Sequence, residues 1–152
     1  MTVSEKFNEI KKSATANNDF NYCGVMTLAI VTDSSYEVAY DALKKSGRKH
    51  RDGIYMSQLI TALQKLNYNY GERVCLDKIL DALRKYKNYN VKNLTTKTLH
   101  RNIKMLQKKG ILDAKAKYVI STSGHVLACD GTGVVDWSTT SSLRIRSIRE
   151  VV

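Results

Sequence analysis

The 152-residue sequence predicts an α+β fold, with helices first and an antiparallel β-sheet last. Three observations carry this reading. Apolar residues recur at helical spacing between Tyr22 and Lys109, they alternate after Gly110, and Ser, Gly, Thr and Asp cluster between the alternating runs. With 43% hydrophobic and 26% charged residues the composition is globular, so one domain over 1–152 is expected.

The elements follow from local chemistry. Residues up to about Asp19 are polar, and 1–16 are expected to fray in part, with Phe7 and Ile10 available to dock a short helix. Asn21 is the expected N-cap of a helix from about Tyr22 to Val31, apolar nearly all round and therefore central. A capping box of Ser34 and Glu37 opens a second helix that ends near Gly47, its inner face Tyr36, Ala39, Tyr40 and Leu43. After the basic loop Arg48–Gly53, Met56, Leu59, Ile60, Leu63 and Leu66 mark a third. Cys75–Tyr86 reads as a fourth, through Leu76, Ile79, Leu80 and Leu83. A fifth runs from a Thr95 or Thr96 cap to Lys109, with Gly110 as its stop. Strands are expected at Tyr118–Ser121, His125–Cys129, Val134–Trp137 and Leu143–Ile148.

Several function classes are excluded. The longest uncharged apolar stretch, Gly24–Val31, is too short to cross a bilayer, so no membrane partner is expected. The start, MTVSEKFNEIKK, has no apolar core of a signal peptide. Cys23, Cys75 and Cys129 are an odd number in a leaderless chain, which points to reduced thiols and a cytoplasmic protein. There is no C-x-x-C, H-E-x-x-H, G-x-G-x-x-G or Walker loop, so neither a metal nor a nucleotide cofactor is expected.

Charge is uneven. The formal net charge is +11, and residues 84–117 hold eleven Lys and Arg against Asp113 alone, a local +10. Such a block suits phosphates, an acidic protein or an anionic surface, or else is a solvated face that keeps the chain soluble.

A reactive constellation joins the two ends of the chain. Cys23 sits just inside a helix N-terminus, where the macrodipole and free N–H groups favour a thiolate nucleophile. A lone cysteine beside an apolar run is more often a small core residue. Asp130-Gly131-Thr132-Gly133 is a hairpin turn in which Cys129 faces Val134, Leu127 faces Asp136 and His125 faces Ser138. His125 and Asp136 are then diagonal neighbours on one face, within reach of an imidazole–carboxylate hydrogen bond. Asp130 falls on the other face. The plainer alternative makes His125 a half-buried sheet residue and Asp136 a strand-end cap.

Asn21-Tyr22-Cys23-Gly24-Val25 with Thr27-Leu28-Ala29 resembles the nucleophile helix of papain-like cysteine peptidases, including the bacteriocin-leader peptidases. The order Ser35-Tyr36, Gly47-Arg48, Tyr55–Leu66, Gly124–Ala128, Asp136-Trp137 and Arg144–Arg149 is similar to a group of small phage-encoded papain-like proteins. The resemblance covers the chain from about residue 17 onward. It implies a papain-like domain whose nucleophile helix packs on the C-terminal sheet, with a Cys23–His125–Asp136 triad and a protein or peptide substrate. It also implies acyl transfer through a thioester and, for a phage protein, the host cytoplasm. Papain-like enzymes carry a Gln about six residues before the Cys to hold the oxyanion; here Asn17 and Asn18 stand in that place. A catalytically dead binding module of the same fold is the corresponding alternative.

A second resemblance competes. Thr95 to Leu112 is similar to the recognition helix of a winged helix–turn–helix, with Cys75–Tyr86 as the preceding helix and Tyr118–Cys129 as the first wing. Lys97, His100, Arg101 and Lys104 would then face DNA, and Lys108 extends the same basic face. The turn Lys87–Leu94 is longer than that motif normally allows.

Overall fold

The computed structural model describes residues 2–19, 21–135 and 142–152. Its elements are α1 (Val3–Ala16), α2 (Cys23–Val31), α3 (Tyr36–Lys45), α4 (Met56–Lys65), β1 (Tyr70–Arg73), α5 (Leu76–Lys87), α6 (Thr96–Lys108), β2 (Lys117–Thr122), β3 (His125–Asp130), β4 (Gly133–Val134) and β5 (Ile145–Val151). The strands form one antiparallel sheet in the order β1-β5-β2-β3-β4. The fold is α+β, as the change of period at Gly110 implies.

Alternation along the strands divides the core in two. Val119, Val126, Ala128 and Val151 face a cluster built from α1, α2, α3 and α4. Tyr118, Ile120, Leu127, Cys129, Ile145 and Ile148 face the other way, onto α5 and α6. A single sheet thus supports two helical layers.

Helix α2 lies at the centre of the first layer, touching α1, α3, α4 and β3, and every residue from Gly24 to Val31 is buried. The near-uniform apolarity of this segment is what such a position requires. Gly24 has a packing reason: a Cβ there would lie 2.5 Å from the Ile54 side chain.

Several expectations are corrected. Residues 3–16 form a full helix: Thr2 accepts from Glu5 N, and Val3, Ile10 and Ala14 are buried against the α2 layer. The N-cap of α3 is Ser35, whose hydroxyl accepts from Val38 N, while Ser34 pairs with Thr32. The cap of α2 is Tyr22, without a side-chain bond, and the preceding Asn21 carbonyl accepts from Arg48. Strand β1 was not expected; its four residues include Glu72 and Arg73 and show no apolar alternation, as suits an edge strand. Gly71 permits it, since a Cβ there would come within 2.8 Å of the Glu150 carbonyl. Strand β5 continues to Val151, three residues beyond the expected end.

The turn between β3 and β4 has the expected register, Cys129 opposite Val134 and Asp130 opposite Gly133. Val135 N donates to the Ala128 carbonyl at 2.8 Å, which carries the pairing one step further. Asp136, Trp137 and Ser138 lie outside the described residues. Strand β2 is bonded on both sides, to β5 and β3, so the segment read as a first wing is interior sheet.

Candidate active site

Cys23 and Thr27 are four residues apart on α2 and therefore share one face. That face meets the start of β3. The Thr27 hydroxyl donates to the Val126 carbonyl at 3.2 Å, which fixes the rotation of the helix on the strand. Cys23 is then directed at the Val126 backbone, one residue from His125.

Strict alternation would send His125 toward α5 and α6 together with Leu127 and Cys129. As the first residue of β3, beside the Ser123-Gly124 turn, it is exposed at the end of the sheet. There it lines the same cleft as Cys23. The cleft measures about 290 Å³, and its walls are Asn21 and Cys23, then Gly53, Ile54 and Met56, and, around the β2–β3 turn, Ser121, Thr122, Gly124, His125 and Val126. Ile54 and Met56 make one wall apolar.

The electrostatics of Cys23 differ from expectation. The helix N-terminus predicts a thiolate, yet burial pushes the thiol above its ordinary value. Backbone hydrogen bonds from Val126 and Gly24, and then the positive charge of Arg48, oppose this without overcoming it. Because no side chain caps α2, its first N–H groups are left to face the sulfur.

Below the cleft lies a network with no counterpart in the sequence reading. Asp19 is fully buried and forms an ion pair with buried Arg48, whose Nη2 donates to Oδ1 at 2.9 Å and Oδ2 at 3.0 Å. The Tyr36 hydroxyl donates to the same carboxylate at 2.8 Å. Arg48 also donates to the Asn21 carbonyl at 3.0 Å and, through Nε, to the Asp52 carbonyl at 2.9 Å. One guanidinium thus ties the segment leading into Cys23 to the loop that supplies Gly53 and Ile54. Asp19 and Arg48 are 29 residues apart and cancel in any count of charge, so only the contact reveals them.

The remaining candidates are distributed as follows. Asn17 ends α1 and its amide donates to the Ser13 carbonyl at 2.8 Å. Neither Asn17 nor Asn18 lines the cleft, whereas Asn21 does. Asp136 lies outside the described residues. Asp130 is occupied by its own turn, accepting from Thr132 N and Oγ1. Cys129 is buried on the α5/α6 side and Cys75 is exposed at the start of α5. Lys97, Arg101, Lys104 and Lys108 are all on the outer face of α6, across the sheet from the cleft. Among the described residues no three His, Cys, Asp or Glu side chains are grouped to hold a metal ion, and no helix is long and apolar enough to cross a membrane.

Comparison with family models, with curated proteins and with solved structures finds no match to this chain.

Proposed function

We propose that the chain is a papain-like cysteine hydrolase or acyl-transfer enzyme acting on a peptide or protein amide. The observation that carries this is the joint presence of Cys23 and His125, 102 positions apart in sequence, on one cleft at the start of a buried helix.

In the first half-reaction His125 takes the Sγ proton as the sulfur attacks the substrate carbonyl carbon. The carbonyl oxygen becomes an oxyanion, and the uncapped N–H at Cys23 and the Asn21 amide are the donors best situated to receive it. Collapse breaks the C–N bond, the amine leaves with the proton from His125, and a thioester remains on Cys23. Water, or an acceptor amine, then attacks the thioester while His125 again takes the proton, the C–S bond breaks, and the proton passes from His125 back to Sγ. Asp136, which lies outside the described residues, is the residue the family resemblance assigns to orient the imidazole. The apolar wall of Ile54 and Met56 suits a peptide side chain rather than a charged small molecule.

The test is a peptide-library digest read by mass spectrometry, with Cys23→Ala and His125→Ala as controls. Cleavage or amide exchange present in the native chain and lost in both variants is the expected result. Turnover that survives Cys23→Ala would contradict the assignment.

A further inference from the structure

The Cys23 cleft leaves the largest charge feature of the molecule unused. Lys97, Arg101, Lys104 and Lys108 follow one another at helical spacing on the outer face of α6, while Leu99, Ile103 and Leu106 hold the inner face to the sheet. At 1.5 Å per residue the four cations span about 16 Å, the length of roughly five phosphates of one duplex strand. Arg84, Lys85 and Lys87 in the last turn of α5, with Lys92 and Lys109, extend the field. Among the described residues the one ion pair made by a cation of the 84–117 segment is Arg84 with Asp81. The Lys109 ammonium lies 4.1 Å from the centre of the Tyr86 ring, which is 45% exposed.

We propose that this face binds the phosphodiester backbone of nucleic acid, independently of base sequence and of the Cys23 site. A protein partner is the poorer fit. Stable protein interfaces concentrate aromatic and apolar anchors and disfavour lysine, whereas the outer face of α6 offers three lysines and one arginine with no apolar anchor among them. A polyanion needs only point charges in a row, which the ammonium groups supply.

The lack of sequence preference follows from where the amides of α6 are spent. Asn and Gln read adenine through both amide atoms. Asn102 is buried and donates to the Thr98 carbonyl at 2.8 Å, and Gln107 donates to the Gly131 carbonyl at 3.1 Å. His100 accepts from Val134 N at 3.0 Å. What faces outward is charge.

The experiment is fluorescence anisotropy of the full chain with labelled duplex DNA, single-stranded DNA and single-stranded RNA, titrated over salt. It is repeated with Lys97→Gln, Arg101→Gln, Lys104→Gln and Lys108→Gln combined. For duplex, four phosphate contacts give a log–log salt slope of about −3.6, or roughly a hundredfold loss of affinity between about 50 and 200 mM salt. The combined variant should lose most of that slope while its helical content and its rate of Cys23 alkylation stay native. The three probes decide which strand form the face prefers, and unrelated sequences should compete equally. Absence of binding at about 50 mM salt would overturn the proposal, as would an unchanged slope in a folded variant. Competition by polyglutamate as effective as nucleic acid of equal charge would also overturn it, in favour of an acidic protein partner. Strong discrimination between sequences would overturn the backbone-only mode.

Discussion

The two layers that share the sheet treat charge in opposite ways. On the α1–α4 side residues 1–69 carry nine Lys and Arg against seven acids, and one pair of that set, Asp19 with Arg48, is buried under the cleft. On the α5/α6 side the cations outnumber acids heavily and stand in solvent. The difference teaches what each kind of charge does. A buried pair has exchanged hydration for fixed geometry and cannot be altered cheaply. An exposed row keeps its hydration, adds little to stability, and is free to meet a partner. Strand β3 serves both sides, with Val126 and Ala128 toward the cysteine helix and Leu127 and Cys129 toward the basic ones.

The contrast breaks most sharply at the buried pair. Asp19→Ala should cost about 3–5 kcal/mol, because it leaves the Arg48 guanidinium buried and unpaired. Lys104→Gln on the opposite face should fall within about 0.5 kcal/mol of the native chain. Urea midpoints at constant slope compare the two directly. Equal costs would erase the distinction between the layers.

The next effect sharpens the geometry of the cleft. Asn21→Ala should lower turnover by about 10²–10³, the cost of one oxyanion donor, while Asn17→Ala should leave it nearly unchanged. Steady-state rates on the substrate found by the peptide screen separate the two asparagines. A large loss at Asn17 and none at Asn21 would return the oxyanion role to the position that the family resemblance implies.

A smaller effect is read in alkali. Burial first, and then the hydrogen bond to Asp19, raise the Tyr36 phenol well above its ordinary value. A raised folded pKa means that its contribution is complete below the unfolded phenol value of about 10 and is lost as pH rises through the folded value. Native stability should therefore fall above pH ~10 by up to ~1.4 kcal/mol per pH unit from this group, and less steeply in Tyr36→Phe. Denaturation midpoints measured across that range check the sign.

The smallest belongs to the exposed pair of Lys6 and Asp33. The Lys6 hydrogen bond, and then its charge, hold the Asp33 carboxyl below the usual range. This contribution is present above the unfolded carboxyl value of about 3.9 and disappears as pH falls through the folded one. Solvent screening keeps it small, so Lys6→Met should move the acid limb of a stability–pH curve only slightly.

Much of this architecture was legible in the residues because period and turn chemistry are local. The helix at Cys23, the strand at His125 and the register of the Asp130–Gly133 turn all follow from patterns a few residues long. The same patterns say nothing about partners far apart. Asp19 looked like the end of a polar leader and Arg48 like part of a basic loop, yet each is buried because of the other. The expected Cys23 thiolate rested on the helix terminus alone and left out the desolvation that outweighs it. Asn17 matched a spacing, but its amide caps its own helix instead. Strand β1 is made by pairing with β5 and carries no apolar signal of its own.

The most direct test of the central claim, that Cys23 and His125 act as nucleophile and base, is the pH profile of Cys23 alkylation by iodoacetamide. Peptide mass spectrometry resolves it from exposed Cys75 and buried Cys129. Base assistance predicts a native rate that rises below the free-thiol value of about 8.5, and in His125→Ala a rise displaced above it, as the buried thiol alone would give. A native profile already above that value and unchanged by His125→Ala would contradict the account and leave Cys23 as packing.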